Sequence, residues 1–500
     1  MRASTEENPM GVLDGIKILE LARVPPAEMP GMMLADMGAD VLKIETPSDS
    51  QEDPDWQRRS AFVYVNRNKR SLALNMKAAE GQALFKKLAA GADVIIEGFR
   101  PGVMKRLGAD YETLRATNPR LVYCSLSGFG QNGPYRDYPA HDMNYLSLAG
   151  VLGLIGEADR KPAIPLNLVA DYAGASMHGA LGIMFALFAR ERTGKGQLVD
   201  VSYLDTSVAL LAATPNMRFY FSDGLAPKRG EGFLGGSYPY YAIYDTKDGK
   251  LLTIGCTEPW LWENFCKAIG RPDMVRFARK HDQFVRAANP EEVKAREEIE
   301  AIIRTKNRDE WYEILVKADV CVGKVYDPEE MVADPQVQAR DMVVEVKHPT
   351  LGTIKEFGIP IKLSGTPGTV RTAAPHAGEH TDAVLRELGL SAADVKALRE
   401  RRSSADRRTG APRATERQSP GAGAALSRPV SSGEISRSRK PKSRGGPEWP
   451  RRLCDSAWSG ERSPRPRRLP PASRTELSEL GASACYRCGQ GVAAGLGPDR

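Results

Sequence analysis

The chain has 500 residues, enough for two or more domains, and a formal net charge of +7. The charge is uneven: residues 401–500 hold 19 Arg and 2 Lys against 9 acidic residues, a balance of +12, which leaves −5 for the first 400 residues. A mildly acidic folded part argues against a nucleic-acid-binding surface.

No apolar leader opens the sequence, and its most apolar run, residues 181–189, is shorter than the roughly 20 residues that cross a bilayer. Four of the seven cysteines, at 124, 256, 266 and 321, are scattered in apolar contexts, as expected of reduced core thiols. We therefore expect a cytoplasmic protein with no membrane and no nucleic-acid partner.

The first 130 residues alternate between short apolar runs and amphipathic segments. Strands are predicted at 16–21, 39–45, 71–76, 93–99 and 120–130, and helices at 26–37 and 80–91. Strands separated by helices predict a parallel α/β sheet of Rossmann-like type. No GxGxxG follows the first strand, which argues against a dinucleotide site.

Farther along, residues 172–190 are predicted as a buried helix and 198–204 as a strand. The pattern then changes to a hairpin with the turn DTKDGK, followed by three helices, which predicts a smaller α+β domain. The predicted division is a large domain over 10–229 and 331–402, with the small domain at 230–330. Residues 403–500 are rich in Arg, Ser, Pro and Gly and contain few aliphatic side chains, so they are predicted to be a disordered tail.

Several stretches together resemble the family III CoA-transferase (CaiB/BaiF-type) superfamily, which includes the α-methylacyl-CoA racemases. They include GIKILELAR, MLADMGADVLKIE, NKRSLALNMK, DVIIEGFRPGVMKRLG, LSGFGQNGPY, RTGKGQLVDVSYLD, ADPQVQARDMVVEV and GEHTDAVLRELGLS. They extend in order over residues 11 to about 400. The resemblance implies an interlocked homodimer that binds acyl-CoA thioesters, with no cofactor besides the CoA of the substrate.

Three positions match the racemase branch of this family. His141 stands in HDMNYLSLAGVLG, Asp171 in PLNLVADYAGA and Glu258 in GCTEPWLW. Transferases of the family keep the aspartate as a nucleophile and usually carry another residue at the position of His141. The flanks of FLGGSYPYY and the turn PPAEMPG match the branch less well, which leaves the substrate open.

Inversion next to a thioester carbonyl needs two acid/base groups on opposite faces of the α-carbon. His141 is the predicted base on one face and Asp171 on the other, because both residue types can change protonation near pH 7. Glu258 is predicted to orient the His141 ring. Asp171 is predicted at the first turn of a helix, whose free N–H groups would face the thioester oxygen, and Asp142 is predicted to point away.

The resemblance also implies which residues contact CoA, with Lys77 and Arg106 as the cations for phosphate or pantetheine. The implied set is Leu74, Asn75, Met76, Lys77, Gly98, Phe99, Arg100, Arg106, Ala140 and Tyr145. Three functions remain open at this point: an acyl-CoA racemase, a CoA-transferase with Asp171 as nucleophile, and a non-enzymatic acyl-CoA binder. Taken singly, His141 could be a structural histidine and Asp171 a helix cap.

Overall fold

The computed structural model of the protein describes residues 11–47 and 63–398. Its main element is a six-stranded sheet in the order β3-β2-β1-β4-β5-β6, in which every neighbouring pair is parallel. The strands are β1 (Lys17–Leu21), β2 (Asp40–Glu45), β3 (Lys69–Ala73), β4 (Val94–Glu97), β5 (Val122–Ser127) and β6 (Leu198–Ser202). The predicted parallel α/β sheet is confirmed. The predicted tail, 403–500, lies outside the described residues.

Helices lie between these strands, as is usual in a parallel sheet, and continue after the last of them. They are α1 (Pro25–Asp36), α2 (Ala79–Ala90), α3 (Val103–Arg106), α4 (Tyr111–Arg115), α5 (Asp142–Leu148), a π-helix (Leu168–Ser176), α6 (Met177–Thr193), α7 (Tyr203–Leu210) and α8 (Pro215–Asp223). Short 3-10 turns lie at Tyr64–Asn66, Leu152–Leu154 and Leu211–Ala213. All residues of β4 and β5 are buried, which explains their nearly continuous apolar sequence.

The strand order reverses between β1 and β4, which are hydrogen-bonded neighbours. In open parallel sheets, ligands bind in the crevice beyond the carboxyl ends of the strands at such a reversal. The loops that carry His141 and most of the predicted CoA contacts leave β3, β4 and β5 at these ends. The sheet topology therefore places the candidate site before any side chain is considered.

The π-helix and α6 form one uninterrupted helix from Leu168 to Thr193, longer than the predicted 172–190. By length and composition this helix could cross a membrane, so the run 181–189 alone underestimated the length of the apolar helix. Nearly half of its most apolar stretch is buried in the fold, and it packs against α1, β5, β6 and α7. Its other face exposes large apolar side chains, including Leu181, Phe185 and Phe188.

A buried ion network ties α1 to the first three strands. Lys69 Nζ lies 2.8 Å from both carboxylate oxygens of Glu20 and 2.8 Å from the backbone oxygen of Glu28. The carboxylate of Glu28 pairs with Lys43 Nζ at 2.9 Å and accepts from Asn66 Nδ2 at 3.1 Å. All five residues are buried. Because α1 begins directly after β1, this network sets the position of the helix beside the crevice.

Residues after 230 build a second hydrophobic core around an antiparallel sheet in the order β7-β8-β9. Its strands are β7 (Tyr241–Asp245), β8 (Leu251–Gly255) and β9 (Val322–Lys324). Its helices are α9 (Pro259–Ala268), α10 (Pro290–Ile303) and α11 (Arg308–Lys317), with 3-10 turns at Pro272–Phe277 and His281–Phe284. The hairpin and all three helices were predicted, whereas β9 was not. The predicted domain boundaries at residues 230 and 331 stay predictions.

The chain then returns to the large sheet. It passes through α12 (Pro328–Ala333), α13 (Pro335–Ala339), the hairpin β10 (Val343–His348) and β11 (Gly352–Phe357), and α14 (Thr381–Glu387). The N–H of His380 bonds to Ser71 O, and Thr381 Oγ1 accepts from the N–H of Ala73, so α14 is attached to β3. Cys321 is exposed, unlike the three buried cysteines of the described residues, so it is not the core thiol that its sequence context predicts.

Candidate active site

His141 lies where a glycine-rich loop from β5 meets α5. It is the N-cap residue of that helix, with extended backbone (φ −131°, ψ 178°), and its N–H donates to Asn144 Oδ1 at 3.1 Å. The residue is exposed, so its imidazole is open to a ligand. The sequence folds this way because the polar Asn144 side chain satisfies the backbone at the helix start.

Asp171 lies in the π-helix, four residues after the N-cap residue Asn167. Its side chain is half-buried and accepts a hydrogen bond from Asn167 Nδ2 at 3.3 Å. Burial is the main cause that raises the pKa of Asp171 to about 6, and the hydrogen bond from Asn167 opposes this rise. The nearby charge of Asp142 raises the pKa further, whereas His141 lowers it. A carboxyl group that titrates near neutral pH can serve both as acid and as base.

His141 and Asp171 are therefore in the same site, near enough for the imidazole to influence the carboxyl group. Tyr145 packs beside them: its hydroxyl donates to Ala140 O at 2.8 Å, and its ring lies 5.2 Å from that of Tyr203. Burial raises the pKa of Tyr145 to about 12, and the charge of Asp171 adds to the rise. Tyr145 is thus a neutral wall of the site at pH 7.

Asp142 does not point away, contrary to the sequence prediction. Its side chain is buried, and Oδ2 accepts from the N–H groups of Ala170 and Asp171 at 2.9 and 3.0 Å. These are the donors predicted to face the thioester oxygen, and a protein carboxylate occupies them instead. The prediction failed because two residues 29 positions apart in sequence meet only in the folded chain.

Glu258 is the N-cap residue of α9, in the second core. Its carboxylate accepts from the hydroxyl of Thr257 at 2.9 Å. Over residues 11–47 and 63–398 of one chain, no hydrogen bond or ion pair joins Glu258 to His141. The predicted orientation of the imidazole by this carboxylate is therefore not made within a single chain.

A cavity of about 1320 Å³ opens at the carboxyl ends of the strands β1, β2, β3 and β4. Six residues of the predicted CoA set line it: Leu74, Asn75, Met76, Lys77, Phe99 and Arg106. Arg23 adds a third cation, and Glu45 and Glu80 add carboxylates. The far wall comes from the C-terminal part of the fold, residues 377–398, which the sequence did not indicate.

The other four predicted residues, Gly98, Arg100, Ala140 and Tyr145, do not line this cavity. A side chain on Gly98 would come within 2.5 Å of Ala27 Cβ, so the loop after β4 can approach α1 only with glycine there. Arg100 lies near enough to Tyr145 to lower the pKa of its phenol, and Ala140 accepts from Tyr145. Within the described ranges, no cluster of three His, Cys, Asp or Glu side chains could hold a metal ion.

The profile of CoA-transferase family III matches residues 13–381. The chain belongs to this family. Human alpha-methylacyl-CoA racemase is 34% identical over 390 residues, which cover 77% of this chain and 96% of the human protein. Acetyl-CoA:oxalate CoA-transferase of Acetobacter aceti is also 34% identical, over 400 residues that cover 78% of this chain and 98% of that enzyme.

The fold agrees with this assignment. The crystal structure of a CAIB/BAIF family protein from Brucella suis superposes with a TM-score of 0.64 and 30% sequence identity. The match covers 76% of this chain and the whole of that chain. Since racemases and CoA-transferases match equally well, membership of the family does not decide between the two reactions.

Proposed function

We propose that this protein is an acyl-CoA racemase or epimerase that inverts the α-carbon of a 2-methyl-branched acyl-CoA thioester. The observation that supports this most is the pairing of an exposed imidazole, His141, with an Asp171 carboxyl group whose pKa is raised to about 6. General acid/base catalysis is most effective when the pKa lies near the working pH. Inversion needs two groups that exchange protons with the α-carbon, whereas a nucleophilic carboxylate needs only to be ionised.

In the proposed reaction, one of the two groups removes the α-proton and the other returns a proton to the opposite face. Starting from one enantiomer, neutral His141 accepts the proton while protonated Asp171 donates; starting from the other, ionised Asp171 accepts while the imidazolium donates. Both directions end with the two groups in exchanged protonation states. No resident cofactor is needed for these proton transfers.

The intermediate enolate needs hydrogen-bond donors at the thioester oxygen. Asp142 and Met143 are the first two residues of α5, so their backbone N–H groups have no acceptor within the helix. The positive end of the helix dipole lies at the same place. We therefore assign the oxyanion site to the start of α5, beside His141, in place of the π-helix donors that Asp142 occupies.

The cavity at the strand ends is the proposed CoA site, with Lys77 and Arg106 facing the phosphates. The exposed apolar face of α6 supports the proposed homodimer, since large apolar patches mark protein interfaces. A second copy is also the proposed source of the Glu258 carboxylate that would orient His141.

The alternative is a CoA-transferase, favoured by the equal similarity to acetyl-CoA:oxalate CoA-transferase. There the ionised Asp171 would attack the donor thioester carbonyl and expel CoA thiolate, leaving a mixed anhydride. The thiolate would then attack the aspartyl carbonyl, release the free acid and leave an enzyme thioester. The acceptor carboxylate would reverse these steps.

The deciding experiment uses one enantiomer of a 2-methyl-branched acyl-CoA in D2O, without an acceptor acid. The proposed racemase incorporates deuterium at the α-carbon, detected by mass spectrometry, and Asp171→Asn does not racemise the thioester. A parallel reaction contains the same carboxylic acid, free and ¹³C-labelled. Transfer of the label into the thioester without α-deuteration would establish the transferase.

A further inference from the structure

One buried carboxylate, that of Asp142, connects the two segments that carry His141 and Asp171. Asp142 follows His141 directly and is the first residue of α5, with 4% of its surface exposed. Its Oδ2 accepts from the N–H of Ala170 at 2.9 Å and from the N–H of Asp171 at 3.0 Å. The side chain thus spans from the start of α5 to the first turn of the π-helix.

These two N–H groups need a partner from outside their helix. Ala170 and Asp171 are the third and fourth residues of the π-helix, and the first N–H groups of a helix have no acceptor within it. Hydrogen bonds to a carboxylate are shorter and stronger than those to a neutral acceptor. The Asp142 carboxylate therefore fixes the backbone of Asp171 relative to α5.

A second contact holds the same residue from the opposite side. Ser176 Oγ lies 2.9 Å from Asp171 O and 2.5 Å from Pro26 O, so the π-helix is also attached to α1. The Asp142 carboxylate and the Ser176–Pro26 contact therefore hold the π-helix at two places, which leaves Asp171 little freedom to move. Catalytic groups need this kind of positional control, because small displacements cost large factors in rate.

The other carboxylate oxygen of Asp142 indicates that this residue does not serve to stabilise the fold. Oδ1 is buried and has no hydrogen-bond partner among the described residues. A buried polar atom without a partner costs free energy, and an asparagine or a serine could accept from the same N–H groups without a buried charge. The charge has an effect on the site, however, since it is one of the two causes that raise the pKa of Asp171.

We propose that Asp142 is a positioning residue, whose carboxylate holds Asp171 at a fixed place beside the segment that carries His141. Its charge has a second role, which is to keep Asp171 able to bind a proton near neutral pH. The proposal rests on the acid/base roles proposed above for His141 and Asp171.

Two variants separate the two roles. Asp142→Ala removes the acceptor, so the kcat of racemisation should fall at least about tenfold with KM nearly unchanged, because loss of positioning acts on the chemical step. Asp142→Asn keeps an acceptor oxygen but removes the charge, so the acidic limb of the pH–kcat profile should move to lower pH. Asp137→Asn makes the same chemical change on an exposed residue of the preceding loop and should match the wild type.

A readout independent of catalysis is amide hydrogen exchange in the peptide over 168–176, measured by mass spectrometry. Exchange there should be faster in Asp142→Ala and unchanged in Asp142→Asn. Wild-type kcat together with wild-type exchange in Asp142→Ala would overturn the proposal. If Asp142→Ala does not fold, an unshifted pH profile in Asp142→Asn overturns the role of the charge.

The two proposals fail in different ways. Wild-type protein that never exchanges the α-proton would refute the racemase assignment. The amide exchange of residues 168–176 would still show whether Asp142 holds the segment, since it requires no substrate.

Discussion

Lowering the pH from about 7 to about 5 should nearly switch off Asp171 as a base. Burial raises the pKa of this carboxyl group from 3.8 to about 6. At that pKa, about 91% of the group is ionised at pH 7 and about 9% at pH 5, so proton abstraction should slow about tenfold. With an ordinary pKa, the same change of pH would cost only about 6% of the rate.

The assay must isolate Asp171, because an imidazole ionises in the same pH range. In His141→Ala, only Asp171 is left to exchange the α-proton of the enantiomer that faces it. Loss of deuterium from the α-deuterated thioester into ordinary water is then measured between about pH 4.5 and about pH 8. Removal of the imidazole also removes a charge that lowers the pKa of Asp171, so the midpoint should lie at or above about 6.

Several titratable or polar groups face Asp171 and influence its titration. They are His141, Asp142 and Tyr145 from the segment of α5, Asn167 and Tyr172 from its own segment, and Tyr203 from α7. The tyrosines stay neutral over this range because burial raises the pKa of each. An acidic limb centred near pH 4 would refute the reasoning that burial controls Asp171. His141→Ala combined with Asp171→Asn is the control and should show no exchange.

Three further predictions concern other parts of the chain. A chain that ends at Arg402 should keep its melting temperature and turnover, because the sequence of 403–500 has few apolar side chains to pack; a large loss of either would contradict this. Lys69→Met leaves the Glu20 carboxylate buried without its cation, so urea unfolding should show a loss of about 3–5 kcal/mol, against less than about 1 kcal/mol for Arg70→Ala, whose ion pairs are exposed. Lys77→Ala and Arg106→Ala should each raise KM for acyl-CoA about tenfold or more with kcat nearly unchanged, since a hydrogen bond to a charged group contributes about 1.5–3 kcal/mol. Lys105→Ala is the control, because Lys105 does not line the cavity, and its KM should match that of the wild type. Equal KM values in all three variants would place CoA elsewhere.

The order of strands and helices could be predicted from the sequence because apolar periodicity is a local property. The strands that contain Leu19 and Ile95 illustrate this. Both are short apolar runs next to amphipathic helices, a pattern typical of neighbouring parallel strands, and the two residues are paired in the sheet. The pairing of His141 with Asp171 came from the motifs that surround them. The first prediction needs only local patterns, whereas the pairing of two residues 30 positions apart depended on the resemblance to a known family; in the structure the imidazole is near enough to influence the Asp171 carboxyl group.

Only the tertiary structure decided which groups satisfy the backbone at the site. The sequence shows that Asp171 lies near a helix start, but the acceptor of its N–H is the carboxylate of Asp142, 29 residues earlier, which only the folded chain brings within reach. The same holds for the far wall of the cavity at the strand ends, which comes from residues 377–398. Periodicity and motifs are written along the chain, whereas the partner of a buried polar atom depends on which distant segments the fold brings within about 3 Å.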